Sequence, residues 1–167
     1  MVRMYDEAET THVDVMMVDD APSLGLTAFS TMGLHTTVNL LDGKDIRVEF
    51  VVVAPTGTER VENLIAHAAF QVVKDAWLAA PGGVYPGLVT EYGLSEGLPH
   101  LMLTSPFPFA NLAPVSVEDA PTVHWLLAFA IAETERLYLY DRGLDAFEQL
   151  LEERDTPYWD LSRAPVA

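Results

Sequence analysis

The sequence predicts an α+β fold: a single domain in which a mixed, mostly antiparallel sheet packs against helices. Three observations predict it. Residues 12–18 alternate and are rich in β-branched side chains, as a half-buried strand requires. The run Phe50-Val51-Val52-Val53 has no polar face, so the strand over 46–54 belongs at the centre of a sheet covered on both sides. Val61, Leu64, Ile65, Ala68, Ala69, Val72, Val73, Ala76 and Trp77 recur at three- and four-residue spacings, which predicts an amphipathic helix over 59–79.

The remaining elements follow in order. Residues 1–11 are polar and acidic and read as a flexible N-terminal arm or the start of a short helix. A loop at 19–23 leads to a short strand at 26–30, which Gly33 ends. A further strand is expected over 36–41, with Asp42-Gly43 forming a tight hairpin turn. Thr58 is the expected N-cap of the long helix, with Glu59 and Glu62 in its first turn, where they suit the dipole. Pro81-Gly82-Gly83 ends that helix, and 84–99 reads as loop with a short piece of strand. A strand at 101–104 precedes Ser105-Pro106-Phe107-Pro108-Phe109, which the prolines are expected to hold extended. Residues 115–118 read as a short strand or turn, and 122–130 as an apolar strand. Glu133 or Thr134 opens a helix that Gly143 interrupts. A second helix over 144–153 carries Leu144, Phe147, Leu150 and Leu151 on one face. The tail from Thr156 reads as loop, with 164–167 beyond the domain.

Composition narrows the function. The chain has 167 residues, enough to bury a proper core. Nine Lys and Arg face 25 Asp and Glu, for a formal net charge of −16. Such a field repels nucleic-acid phosphates and anionic membranes, and it attracts and steers a basic protein. Simple solubility accounts for the charge equally well. An acidic surface can also mimic DNA in the site of a nuclease. Cysteine is absent, which removes disulfide and thiolate chemistry. The N-terminus has no apolar run of the signal-peptide kind, so the cytoplasm is the expected location.

No motif for chemistry stands out. His12, His35, His67, His100 and His124 show no short metal-ligand spacing, so no metal or other cofactor is expected. Ser95 lies in Gly93-Leu94-Ser95-Glu96-Gly97 without the strand and helix of a nucleophile elbow, and reads as a turn with a capping hydroxyl. Gly82-Gly83 follows a helix, the wrong geometry for a phosphate cradle. Glu49 and Asp14 are carboxylates on predicted strands. Either they are tuned acids or bases, or they are satisfied by backbone amides or by an arginine such as Arg47 or Arg163. Tyr85, Tyr92, Phe107, Phe109, Tyr158 and Trp159 fall in predicted loops. Rigid aromatics beside acids suit a partner-binding surface, and the alternative is packing of the loops onto the core.

Several segments resemble the Suppressor of fused domain family. His12-Val13-Asp14-Val15 matches its His-hydrophobic-Asp-hydrophobic strand, Thr31-Met32-Gly33 its turn, and 49–55, from Glu49 to Pro55, its acidic-headed apolar strand. Pro99-His100-Leu101-Met102-Leu103, Pro106-Phe107, the strand leading to Glu135, and Asp160 to Arg163 match in order and spacing, so the likeness runs from about residue 12 to 163. The turn departs from the pattern, reading Met-Gly-Leu where members favour Gly-Met-Ser after the Thr. Phe50 replaces a Leu, and Ala130-Ile131-Ala132 stands where members have a Pro-Leu step. The resemblance implies structural roles for His12, Asp14, Thr31, Gly33, Glu49, Pro55, His100, Glu135 and Arg163. It also implies a non-enzymatic protein-binding function with no catalytic residues. Bacterial members are commonly immunity proteins that neutralise toxins, so the expected partner is a protein such as a basic toxin domain. A scaffold that sequesters an endogenous partner is the alternative, and an enzyme using Glu49 and a histidine is the third reading.

Overall fold

The computed structural model describes residues 1–116 and 121–167. A seven-stranded sheet runs through it in the order β1-β2-β3-β6-β9-β8-β7. The strands are β1 (Val2–Tyr5), β2 (His12–Asp19), β3 (Leu26–Met32), β6 (Arg47–Pro55), β7 (Val84–Tyr85), β8 (His100–Thr104) and β9 (Val123–Ile131). A separate hairpin pairs β4 (Leu40–Leu41) with β5 (Lys44–Asp45). The helices are α1 (Val61–Asp75), α2 (Leu88–Glu91), α3 (Glu133–Arg142) and α4 (Leu144–Glu153), with a 3-10 turn at Leu34–Thr36. Among the described strands of this sheet, β6 and β9 alone pair in parallel and the other neighbours are antiparallel. The fold is therefore α+β with a mixed, mostly antiparallel sheet.

Strand β6 is central, as its apolar run requires. Its side chains alternate between two cores. Phe50, Val52 and Ala54 join Val61, Leu64, Ile65, Ala68 and Val72 of α1 on one face. Val51 and Val53 join Leu127, Phe129, Leu139 of α3 and Phe147 of α4 on the other. Burying each such Val, Leu or Phe side chain contributes roughly 1.5–3 kcal/mol, so both faces of β6 carry the domain.

Several elements differ from the sequence reading. The segment 1–11, expected to be flexible, contains edge strand β1. Arg3 donates two hydrogen bonds to Asp14 on β2, at 2.7 and 2.8 Å, and Lys74 of α1 reaches Asp6 at 2.7 Å. Residues 36–41 hold the end of the Leu34–Thr36 turn and a two-residue strand, because Arg47 binds the carbonyls of His35 and Thr36 and curls the chain there. Helix α1 starts at Val61, after Arg60 at φ 69°, and Thr58 donates to the Pro55 carbonyl in the preceding turn instead of capping. It ends at Asp75, because Ala76 turns left-handed at φ 54°. Trp77 then leaves the helix and stacks on Tyr85 at 5.4 Å. The 105–109 segment is folded into turns, with the Phe107 and Phe109 amides donating to the Ser105 and Pro106 carbonyls. Of the stretch 115–118, Val115 makes a single bridge to Val123, and 117–118 lie outside the described residues. The last residues are tied down: the Val166 amide donates to Glu135 at 3.0 Å.

Candidate functional site

Of the two carboxylates singled out in the sequence, Glu49 is tied into the backbone and Asp14 is held by a side chain. Glu49 is 3% exposed. Its Oε2 accepts the Thr31 hydroxyl at 2.5 Å, and its Oε1 accepts the Gly33 amide at 2.8 Å and the His35 amide at 3.2 Å. The His35 ring meets the same oxygen at 2.5 Å. The Thr31 hydroxyl also accepts the Phe50 amide. Glu49 thus folds the chain from β3 through the 3-10 turn around itself. Gly33 supplies the φ of 102° that brings its amide inward, a conformation glycine adopts freely. Neither expected arginine pairs with Glu49. Arg47 holds Asp45 and two carbonyls, and Arg163 binds Glu135. Asp14 likewise stays apart from Glu49, with its carboxyl held below the ordinary carboxylate range by the Arg3 guanidinium.

Glu135 is fully buried and is the hub of the second network. Arg163 reaches it at 2.6 and 2.9 Å and also donates to the Ala130 carbonyl. Glu135 reaches back to the Ala132 amide at the start of α3, as an acid in the third helical position does. This single ion pair therefore ties the end of β9, the head of α3 and the C-terminal segment together. Pro55 closes β6, opposite Leu26 in the register.

The histidines are dispersed. His12 lies on β2 with its ring 5.9 Å from Tyr5. His67 pairs through Nδ1 with the Tyr92 hydroxyl at 2.9 Å. His100 accepts the Gly87 amide on Nδ1, so its Nε2 carries the proton that goes to Glu133 at 2.7 Å. Glu133 is held down to about 2, first by Arg136 and then by His100. His124 sits on β9 opposite Val48. Among the described residues no three His, Asp or Glu side chains converge as a metal-ligand set. Ser95 donates to the Leu161 carbonyl at 2.6 Å and accepts the Leu98 amide, which makes it a loop tie.

Of the six aromatics expected on a binding surface, the structure brings three together ring to ring. Phe107 meets Tyr158 edge-on at 5.2 Å, and Tyr158 meets Trp159 at 4.9 Å. Phe109 and Trp159 pack partly against the core on the α3–α4 side. Only Phe107 is broadly exposed, at 60%. Tyr158 is buried, and burial pushes its phenol up to about 12. Tyr85 is a correction: it is buried beneath Trp77 and against Phe50, so it packs the core instead of facing a partner. Tyr92 lies apart, lining a second cleft of about 340 Å³ with Tyr5, His67 and Lys74.

Beside Phe107 opens a cleft of about 410 Å³ between the end of β8, the 105–109 turns and the C-terminal half of α4. Its apolar wall is Phe107, Leu151 and Tyr158; its polar wall is Glu148, Glu152 and Asp155. Among the described residues no basic side chain lines it. Thr104 donates its hydroxyl to Glu148 Oε1. The apolar face read over 144–153 does not reveal Glu148 and Glu152 on the cleft. The signal that finds them is Glu148 and Glu152 at i,i+4, which share one side of a helix.

Buried carboxylates that organise backbone, within a mixed and mostly antiparallel sheet flanked by helices, define the class: an α+β protein held together by its fold-organising acids. Solved structures share this architecture. A putative suppressor of fused homologue from Neisseria gonorrhoeae FA 1090 superposes with a TM-score of 0.63 at 17% identity, over 93% of this chain and 88% of that one. A chain of the Sufu–Fu complex superposes at 0.68 with 9% identity, over 99% of this chain and 84% of that one. At such identities the likeness concerns the fold alone. The family model described as Suppressor of fused protein (SUFU) matches residues 9–164, and the chain belongs to that family. A relative from Bacillus subtilis (strain 168), named immunity protein YqcF, is 25% identical over 168 aligned residues, covering 99% of this chain and 88% of its own length.

Proposed function

We propose that this chain is a non-enzymatic, cytoplasmic binding protein that neutralises a toxin domain by covering it. The observation that carries the reading is the similarity, along nearly the whole chain, to a protein named as an immunity protein. The chemistry of the fold supports it. The buried acids Glu49 and Glu135 spend their oxygens on backbone amides, a hydroxyl, a histidine and an arginine, in the manner of structural groups. The net charge of −16 favours a basic partner and opposes nucleic acid and anionic lipid. Phe107 offers an exposed aromatic anchor beside acids.

The test is a tagged pull-down from the native host, washed at low and moderate salt, followed by co-expression of the captured protein. Capture of a protein carrying a toxic domain, and restored growth when the two are co-expressed, is the expected result. A captured toxin that still kills would sink the reading. A resident regulator captured in its place would replace neutralisation with sequestration.

A further inference from the structure

Helices are stabilised by acids in the first turn and bases in the last. Here α1 has Glu62 first and Lys74 last, and α3 has Glu133 and Glu135 first and Arg142 last. Helix α4 breaks the rule at one end. Its first turn holds Asp145, but its last turn has no base and carries Glu152 and Glu153; Arg154 stands at the C-cap outside the cleft lining, and Asp155 follows it. Glu148 and Glu152 add a like-charge pair at i,i+4, which is itself unfavourable. Three carboxylates and the negative end of a helix thus converge on one cleft without a cation among its lining residues. A second feature points the same way. The Thr156 hydroxyl, on the same cleft wall, is buried with no hydrogen-bond partner among the described residues.

We propose that this cleft receives an arginine side chain from the partner's surface, an assignment that rests on the chain being a protein binder. The guanidinium fits for three reasons. Its planar fork bridges two carboxylates, here Glu148 and Glu152, and Oε2 of Glu148 has no partner among the described residues. A turn of the Thr156 side chain, whose Oγ1 is closed to solvent in the free protein, brings the orphaned oxygen to a remaining N–H. The exposed Phe107 ring and Leu151 give the methylene stem and the guanidinium face a wall to lie on. An ammonium satisfies the charge but neither the fork nor the stacking.

The probe is Nα-acetyl-arginine amide, titrated into the isotope-labelled full chain at fixed ionic strength and followed by amide chemical shifts. Shifts confined to 104–107 and 148–158 are expected, with weaker changes for the acetyl-lysine amide. Glu152→Gln is expected to weaken binding by about two- to fivefold, the range of an exposed ion pair. The same substitution relieves the helix end, so it raises the Tm of the free protein while lowering affinity, a pairing that a structural role would not give. Phe107→Ala is expected to weaken binding as well. Glu62→Gln, an acid at the favourable end of α1, serves as the control and leaves the titration unchanged. Shifts spread over the acidic surface, or equal binding by Glu152→Gln, overturn the assignment. The two proposals fail separately. Arginine binding with no toxin captured removes neutralisation and keeps the cleft. A neutralised toxin bound equally well by the Glu152 and Phe107 variants removes the cleft and keeps neutralisation.

Discussion

Replacing Arg163 with Met tests how much one buried ion pair holds. The Arg163 side chain is 3% exposed and that of Glu135 0%. Methionine fills most of the volume but removes two charge-assisted hydrogen bonds to Glu135 and one each to the Ala130 and Ala164 carbonyls. Hydrogen bonds to a charged group contribute about 1.5–3 kcal/mol each, so the two to Glu135 sum to roughly 3–6 kcal/mol. Breaking a buried pair and stranding one charge costs about 3–5 kcal/mol by direct comparison, in agreement. The Ala132 and Val166 amides still donate to the stranded carboxylate, which argues for the lower part of that range. A loss of about 3–4 kcal/mol is a large share of the 5–15 kcal/mol that domains have, and corresponds to roughly 6–16 °C in Tm. Urea unfolding at neutral pH, with both variants fitted to a common slope, reads it directly. Glu135→Gln combined with Arg163→Met removes the stranded charge and is expected to regain part of the loss. A single-variant loss below about 1 kcal/mol would show that the pair does not anchor the C-terminal segment, and the reasoning would be wrong.

Three further outcomes follow from the same structure. Thr31→Val removes the hydroxyl shared by Glu49 and the Phe50 amide; with each orphaned group costing about 1–3 kcal/mol, urea unfolding should show a loss of roughly 2–5 kcal/mol, and a change under about 1 would refute the network. Gly33→Ala meets no atom within 4 Å, so only its φ of 102° opposes the methyl, and a loss of about 1–2 kcal/mol is expected; a neutral result would mean the turn relaxes. Asp6, Asp14, Asp45, Glu133 and Asp160 all have folded pKa values below their ordinary ones, so their stabilisation is complete above the ordinary carboxylate range and is lost as pH falls, for Glu133 from 4.5 towards about 2. Tyr158 runs the other way: raised from 10.0 to about 12, it contributes below pH 10 and loses that as pH rises through 12. Thermal unfolding across pH should fall away at both ends, and an acid limb that stays flat from pH 5 to about 2 would contradict these assignments.

The parts of the fold legible in sequence are those where one local pattern decides. Phe50 to Val53 announced a strand buried on both faces, and the spacing from Val61 to Val72 announced the helix beside it. What stayed hidden depends on partners far along the chain. Nothing near Arg3 marks it as a strand residue; its pairing is with Asp14 and the sheet beyond. The ends of α1 turn on Arg60 and Ala76 in left-handed backbone, where a Gly or Asn would have been the sequence signal. Glu49 lies on strand β6, but its partners are donors from Thr31, Gly33 and His35, which no charge pattern encodes. The resemblance placed Glu135 and Arg163 on one motif set, while their bond spans 28 positions and exists only because the tail returns over the head of α3.

The candidate surface divides along the same line. Aromatic content in a loop does not distinguish an anchor from a core residue, because both want a large rigid side chain; Tyr85 went to the core when a two-residue strand formed at the sheet edge, and Phe107 stayed out because its turn leaves the ring beyond the last row of β8. Charge position carries more information than aromatic content. An acid on a helix surface is neutral for stability at most places, favourable at the N-terminal turn and unfavourable at the C-terminal one. Glu152 and Glu153 therefore sit where the free protein gains least from them, next to a cleft that pairs acids with an exposed ring. Such a conflict between local preference and observed residue is where function is most economically sought, since a bound cation would turn the same charges from a cost into a contact.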